Sequence, residues 1–381
     1  MFGVALHGRH TRFPGGCKAP VLMAESSQEF NELDAFTRPL VDKLQRHPKR
    51  IVFSDGNDLR VLKVAEQMVR MELGVPILLG PRDDIRDLAK REGVDLTFVK
   101  VLDPEKSSDL PLFCERLKRI QRYKGVELAN ACEVVAQPHF FGAMMVQYGH
   151  ADGMIGGNIS VPSSVIRALL HMVKPNPAVP RVFSTTVLEG SHLQNFGRDG
   201  LLFLADTGLN PELSVEQLAA IGVETGKLAR LYLGRRPRVA MLSHSTDGSA
   251  LTESARFVKA ASELARKRAA ADRFDLEIDG EIQADVALDA SAAEIKFPKM
   301  EKKDPADVLV FPNLDAAHIA LKLMHHVAGA RVYGQFILGL ARPAGLVTRT
   351  VDVTSLLGTA MAVGVEAIKY HELDPDGEIA S

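Results

Sequence analysis

The sequence predicts an α/β protein with a mainly parallel sheet, and three observations carry that prediction. Short apolar runs, such as residues 50–53 and 239–243, recur along the chain. Stretches with apolar residues at three- and four-residue spacing separate them, the rhythm of strands joined by helical crossovers. The chain also has 381 residues, more than one typical hydrophobic core supports and enough for two domains.

The elements follow in order. A helix is predicted over 30–46, where Phe36, Leu40 and Leu44 recur at four-residue steps. A buried strand over 50–53 runs into Ser54-Asp55-Gly56-Asn57. Then come helix 58–73, strand 75–79, helix 82–92, strand 97–102 and helix 110–123. Helices 127–136 and 139–148 are separated at Pro138. Residues 153–157 form a brief strand and glycine-rich turn, and helix 163–173 stops at Lys174-Pro175-Asn176-Pro177, a hinge candidate. Strands 182–188 and 201–206 flank a polar loop. Helix 213–233, strand 239–243 and helix 252–267 follow, the last with Thr252 as its cap. Strands 276–279 and 308–311 alternate with helices 285–293 and 314–327. The apolar run 336–340 reads as a buried strand of a parallel sheet. A Pro/Gly turn at 342–345 and a helix over 353–369 complete the pass.

Composition narrows the function. Hydrophobic residues make up 46% and charged residues 25%, with a net charge of −2, so neither nucleic acid nor an anionic membrane is expected as a partner. Any anion site must be local, built from a few placed arginines. Three cysteines, Cys17, Cys114 and Cys132, are odd in number and widely spaced. That argues against a disulfide framework or a zinc site and for buried structural thiols at 114 and 132, in a cytoplasmic setting. No apolar run approaches the roughly 18 residues of a membrane span. Residues 1–24 lack an acidic residue before Glu25 and lack the apolar core of a signal peptide; they are expected to be disordered, with Met23 as an alternative start. The basic run at 299–303 reads as a solvated loop.

The chemistry concentrates near the C-terminus. Thr348-Arg349 follows the apolar run and its turn and precedes a helix. In open α/β sheets, ligands bind where strands end and helices begin. An arginine there, beside free helix N–H groups, suits a phosphorylated or otherwise anionic ligand. Arg167 lies one helical turn after Ser163, and the loop from Gly153 to Gly157 and Asn158 can turn backbone N–H groups toward an anion. Ser243-His244-Ser245-Thr246-Asp247-Gly248-Ser249 follows a core strand and is dense in hydroxyls. It can hydrogen-bond a ligand or satisfy its own turn. Asp352 before Val353 reads as a helix N-cap. His171, His318, His325 and His326 lack partners at metal spacing and read as structural. No metal site is expected.

Several of these stretches together resemble the phosphate acetyl/butyryl transferase (phosphotransacetylase) family. They are Ala151-Asp152-Gly153, Arg167, the runs 238–243 and 245–250, Ile278-Asp279-Gly280-Glu281 through Asp285, Phe311-Pro312-Asn313-Leu314, Tyr333-Gly334, Gly339 to Pro343 and Thr348-Arg349. The likeness covers residues 48–370 in one unbroken order. It implies an isocitrate-dehydrogenase-like pair of three-layer α/β/α lobes with a cleft between them: 25–178 plus 336–381 as lobe one, and 179–335 as an inserted lobe two. It also implies a homodimer that moves an acetyl or short acyl group between coenzyme A and inorganic phosphate, with coenzyme A as substrate and no cofactor. Arg349, Thr348 and Arg167 are then expected to be catalytic. Gly157, Ser163, Ser243, Ser245, Thr246, Gly248, Ser249 and Arg122 are expected to bind substrate. Asp279, Glu281 and Asp285 lie near the cleft, where scaffolding and catalysis both remain open.

Departures from the family pattern matter. Thr348 stands where active members carry serine. Ser355 occupies the position of an aspartate read as the base for the coenzyme thiol, leaving Asp352 as a possible replacement. Ser54-Asp55-Gly56 replaces Pro-Glu-Gly, and Arg122 is one residue off register. The alternative reading is an acyl-coenzyme A sensor of impaired activity, like the C-terminal half of large bacterial malic enzymes. A dehydrogenase reading lacks both paired metal aspartates and a nicotinamide motif.

Overall fold

The structure, a computed structural model, describes residues 33–120, 130–193, 196–301 and 304–373. The expectations for residues 1–24 and for Arg122 lie outside the described residues. The first half contains α1 (Arg38–Arg46), β1 (Lys49–Phe53), α2 (Leu59–Arg70), β2 (Gly74–Leu79), α3 (Arg82–Glu92), β3 (Lys100–Leu102), α4 (Leu110–Arg119), α5 (Ala131–Ala136), α6 (Pro138–Gln147), β4 (Gly153–Gly156) and α7 (Pro162–Met172). The second contains β5 (Phe183–Glu189), β6 (Leu201–Ala205), α8 (Val215–Leu233), β7 (Arg238–Leu242), α9 (Glu253–Ala271), β8 (Glu277–Ile282), α10 (Ala284–Leu288), α11 (Ala290–Lys296), β9 (Val308–Val310) and α12 (Leu314–His326). The chain then returns through β10 (Arg331–Leu338), β11 (Ala344–Leu346) and α13 (Val353–Leu373).

The strands join into one sheet of 11 in the order β3-β2-β1-β4-β11-β10-β5-β6-β9-β7-β8. Its two flanks are parallel, as the strand–helix rhythm demands. The middle is not. β10 runs antiparallel to both β11 and β5, and β5 antiparallel to β6. This corrects the reading of 336–340 as a parallel strand and of 342–345 as a turn. Only five residues link β10 to β11, too few for the crossover that a parallel pair needs.

Two of the clusters of buried side chains among the described residues lie in different parts of the sheet. One gathers Val52, Ile77, Phe113, Phe141, Met144 and Leu346. The other gathers Leu204, Ala240, Ile282, Leu309 and Phe311. Helix α13 is buried on almost every side, from Leu356 through Ala367, and packs on α1, α2, β10 and β1. A helix apolar all round belongs in a core, so its N-terminus has a fixed position.

Local chemistry moves some boundaries. Residues 30–32 of the predicted first helix lie outside the described residues; within them the helix starts at Arg38, because Asp34 accepts the N–H groups of Phe36 and Thr37 and holds a turn. Predicted helix 285–293 divides at Asp289, whose carboxylate caps α11 through the Ser291 N–H. Thr252 caps α9 as expected, accepting from the Ala255 N–H. The largest correction concerns the cysteines: Cys114 and Cys132 form a disulfide, their Cα atoms 5.0 Å apart. The packing of α4 against α5 brings them together, a contact that a sequence separation of 18 does not reveal.

Asp307 ties the second half together. It is fully buried and accepts hydrogen bonds from the guanidinium groups of Arg198 and Arg235 and from the Arg238 N–H. Arg238, itself buried, pairs with Asp279 at 2.8 Å.

Candidate active site

Strand order positions the site. The chain moves outward from β1 to β2 and β3, then returns to lay β4 on the opposite side of β1. The loops after β1 and β4 therefore open at a topological switch point, the usual ligand crevice of such sheets. β11 is parallel to β4 and next to it, so three loops emerge side by side: 54–58, 157–161 and 347–352.

The third loop carries Thr348 and Arg349, both exposed. The Thr348 hydroxyl lies 3.1 Å from that of Thr350. Among the described residues the Arg349 guanidinium makes no hydrogen bond or ion pair. Arg167, on α7 after the second loop, is likewise exposed and without a partner among them. Ser163 is exposed in the first turn of the same helix. Two unpaired guanidiniums at one sheet edge can receive an anion in fork geometry.

Asp352 caps α13: its Oδ1 accepts the Ser355 N–H at 2.7 Å. Its Oδ2 also accepts the Ser355 hydroxyl at 2.9 Å. One helix N–H that could have met a ligand is therefore already occupied. Thr348, Asp352 and Ser355 line a small pocket of about 50 Å³ together with Gln335 and His325.

The glycine-rich loop behaves differently from its sequence reading. It does bind an anion, but the anion is a side chain of the protein. Asp55, buried in the first loop, accepts the N–H groups of Gly157, Ile159 and Ser160 and the Ser160 hydroxyl. Gly157 has φ +102°, and a Cβ there would lie 2.6 Å from the Val347 carbonyl oxygen, so only glycine lets the second and third loops touch.

Asp58 and Arg60 complete the arrangement, and sequence reasoning missed both. Asp58 caps α2 through the Arg60 N–H. Burial alone would raise its carboxyl, but hydrogen bonds from Arg60 and Asn158 hold it below the ordinary carboxylate range. The Arg60 guanidinium reaches the carbonyl oxygens of Arg349, Val351 and Asn158. The available signal was an Asp-Leu-Arg run at a strand-to-helix turn, which cannot name distant carbonyls.

The hydroxyl-rich loop after β7 forms a second cluster with β8. Glu281, buried, accepts from the Ser245 hydroxyl and the Gly248 N–H. Thr246 bonds Gln283, Ser243 accepts the Ser245 N–H, and Ser249 accepts the Thr246 N–H. Asp279 pairs with Arg238 and Asp285 with Lys296. Nothing among these bonds links the cluster to Arg349 or Arg167. His318 and His325 meet the backbone carbonyls of Thr207 and Ala330. No group of three potential metal ligands occurs among the described residues, and no helix among them is long and apolar enough to cross a membrane.

Fold and edge together define an α/β protein with a crevice at a topological switch point, bordered by two guanidiniums unpaired among the described residues. The family model described as phosphate acetyl/butaryl transferase matches residues 35–363. The chain belongs to that family. It is 33% identical over 328 residues to the phosphate acetyltransferase of Thermoanaerobacterium thermosaccharolyticum, covering 86% of this chain and 98% of the relative. A solved phosphotransacetylase from Streptococcus pyogenes superposes with a TM-score of 0.79 at 27% identity, covering 88% of this chain and 98% of that one. Another, from Staphylococcus aureus, gives 0.77 at 29%, covering 87% and 98%.

Proposed function

We propose that this protein transfers an acetyl group, or another short acyl group, between coenzyme A and inorganic phosphate. The observation that carries the reading is the unpaired Arg349 beside Thr348, at the switch-point edge of a chain of this family. In the thioester-forming direction, Arg349 holds the phosphoryl oxygens or the carbonyl oxygen of acetyl phosphate. Arg167 supplies a second cation, and the Thr348 hydroxyl donates to the oxyanion. Donors aimed at developing charge in this way typically supply the largest single share of catalysis. The coenzyme thiol loses its proton, its sulfur forms a bond to the carbonyl carbon, and the carbon–oxygen bond to phosphate breaks with the electron pair leaving on phosphate. A thiol of pKa about 8.5 is only slightly ionised at neutral pH, so a base matters. Asp352, whose Oδ2 accepts the Ser355 hydroxyl in the pocket, is the group proposed to accept that proton. The reaction asks for no resident cofactor; coenzyme A enters as substrate.

The two buried clusters support a two-lobe arrangement in which 179–335 forms the inserted lobe. A line of exposed Ile319, Leu323 and Val327 along and just past α12 supports a homodimer. The test is thioester formation from acetyl, propionyl and butyryl phosphate with coenzyme A. Arg349→Ala is expected to lower turnover by about 10²–10³-fold, the usual cost of a lost oxyanion donor. Coenzyme A binding without turnover in the unmodified protein would establish the sensor alternative instead. Absence of both would end the reading.

A further inference from the structure

Arg60 is the cation of this edge that cannot serve a ligand. An arginine has five N–H donors and no acceptor, and here every one meets protein. The Nε–H faces the Asp58 carboxylate, 3.1 and 3.2 Å from its two oxygens. One terminal nitrogen donates to Arg349 O at 2.7 Å and Val351 O at 2.9 Å. The other donates to Asp58 Oδ2 at 2.6 Å and Asn158 O at 2.9 Å. The same Asp58 oxygen accepts the Asn158 side-chain amide at 3.0 Å.

These bonds reach both neighbouring loops. The carbonyls of residues 349 and 351 flank Thr350, so gripping them with one nitrogen fixes the pitch of the segment immediately before α13. The Asn158 carbonyl belongs to the loop that feeds α7 and Arg167. Arg60 thus joins the backbone at the root of one unpaired guanidinium to the loop that leads to the other. Asp58 offsets the charge of Arg60, leaving Arg349 and Arg167 as uncompensated cations among the described residues of this edge.

We infer that Arg60 is a positioning residue for acyl transfer: it acts through Arg349 by holding the 349–351 and 157–160 loops at a fixed separation. The inference rests on the proposed role of Arg349. Lysine cannot substitute, because three donors on a point charge do not span two carbonyls, a third carbonyl and a carboxylate.

A double-mutant cycle tests this, with variants Arg60→Met, Arg349→Lys and their combination. The readouts are kcat and KM for acetyl phosphate by thioester formation, and the melting temperature of each protein. Misplacement of about 1 Å costs on the order of 10²-fold. Arg60→Met is therefore expected to lower kcat/KM by about 10–100-fold, with most of the loss in kcat. If Arg60 acts through Arg349, adding Arg60→Met to Arg349→Lys lowers it by less than about threefold, because coupled sites are not additive. Losses that multiply in the combined variant, or that follow melting temperature alone, overturn the inference. So does wild-type turnover in Arg60→Met when Arg349→Lys is impaired. Wild-type turnover in Arg349→Lys withdraws the site reading and this inference with it. Should Arg60→Met fail to fold, Arg60→Lys, which keeps the charge beside Asp58, carries the same cycle.

Discussion

Replacing Ser355 with aspartate places a second carboxylate against Asp352, and the consequences can be worked from one distance. The Ser355 hydroxyl oxygen lies 2.9 Å from Asp352 Oδ2, so the two charges in Ser355→Asp come within about 4 Å of each other. At that separation like charges repel by about 1 kcal/mol in water and about 4 kcal/mol at an effective dielectric of 20. Asp352 is exposed and Ser355 buried, which puts the site between these limits. The lost hydroxyl bond costs about 1 kcal/mol more, while a carboxylate in the first turn of α13 recovers about 0.3–1 kcal/mol from the helix dipole. The variant should therefore be destabilised by about 1–5 kcal/mol at pH 8. The two carboxyls would titrate as a dyad with one step raised. A raised folded-state pKa means the protonated form is favoured on folding. The gap to wild type is thus small near pH 4 and opens as pH rises through the raised step. Urea unfolding of wild type, Ser355→Asp and Ser355→Asp/Asp352→Asn from pH 4 to 8 measures it. A gap independent of pH, or a double variant as unstable as the single one, would refute the reasoning. A carboxyl raised toward neutrality is also a better-matched base, so thioester formation should rise by about tenfold or more in Ser355→Asp.

Two further outcomes are expected. Asp307→Asn leaves the partly exposed guanidiniums of Arg198 and Arg235 facing a neutral side chain, and equilibrium unfolding should show a loss of about 1.5–3 kcal/mol, the usual worth of hydrogen bonds to a charged group. Thiol titration of the denatured, unreduced protein should find one reactive cysteine, Cys17, and three after reduction; three before reduction would show that Cys114 and Cys132 are not joined.

Much of the fold was legible because its signals are local. Helix α3 falls on its predicted residues, and the side chains of Thr252 and Asp352 accept the N–H groups that capping requires. What escaped depends on partners far away in sequence. Periodicity marks 336–340 as buried but carries no direction, so the antiparallel pairing of β10 was not readable. The Asp55 contact spans about a hundred residues, and the grip of Arg60 on Arg349 spans 289. In the candidate site, single charged residues at strand ends could be picked out. Which of them face solvent and which are bound within the protein follows from the sheet order.

The internal anion at Asp55 changes what a ligand has to accomplish. A glycine-rich loop that waited for its phosphate would be ordered only on binding, and the lost conformational freedom would be subtracted from affinity. Here folding has already ordered the loop around a carboxylate that never leaves. The entropy of that segment is thus charged to folding stability, and a bound ligand contributes its interaction energy to holding the reacting atoms rather than to shaping the crevice.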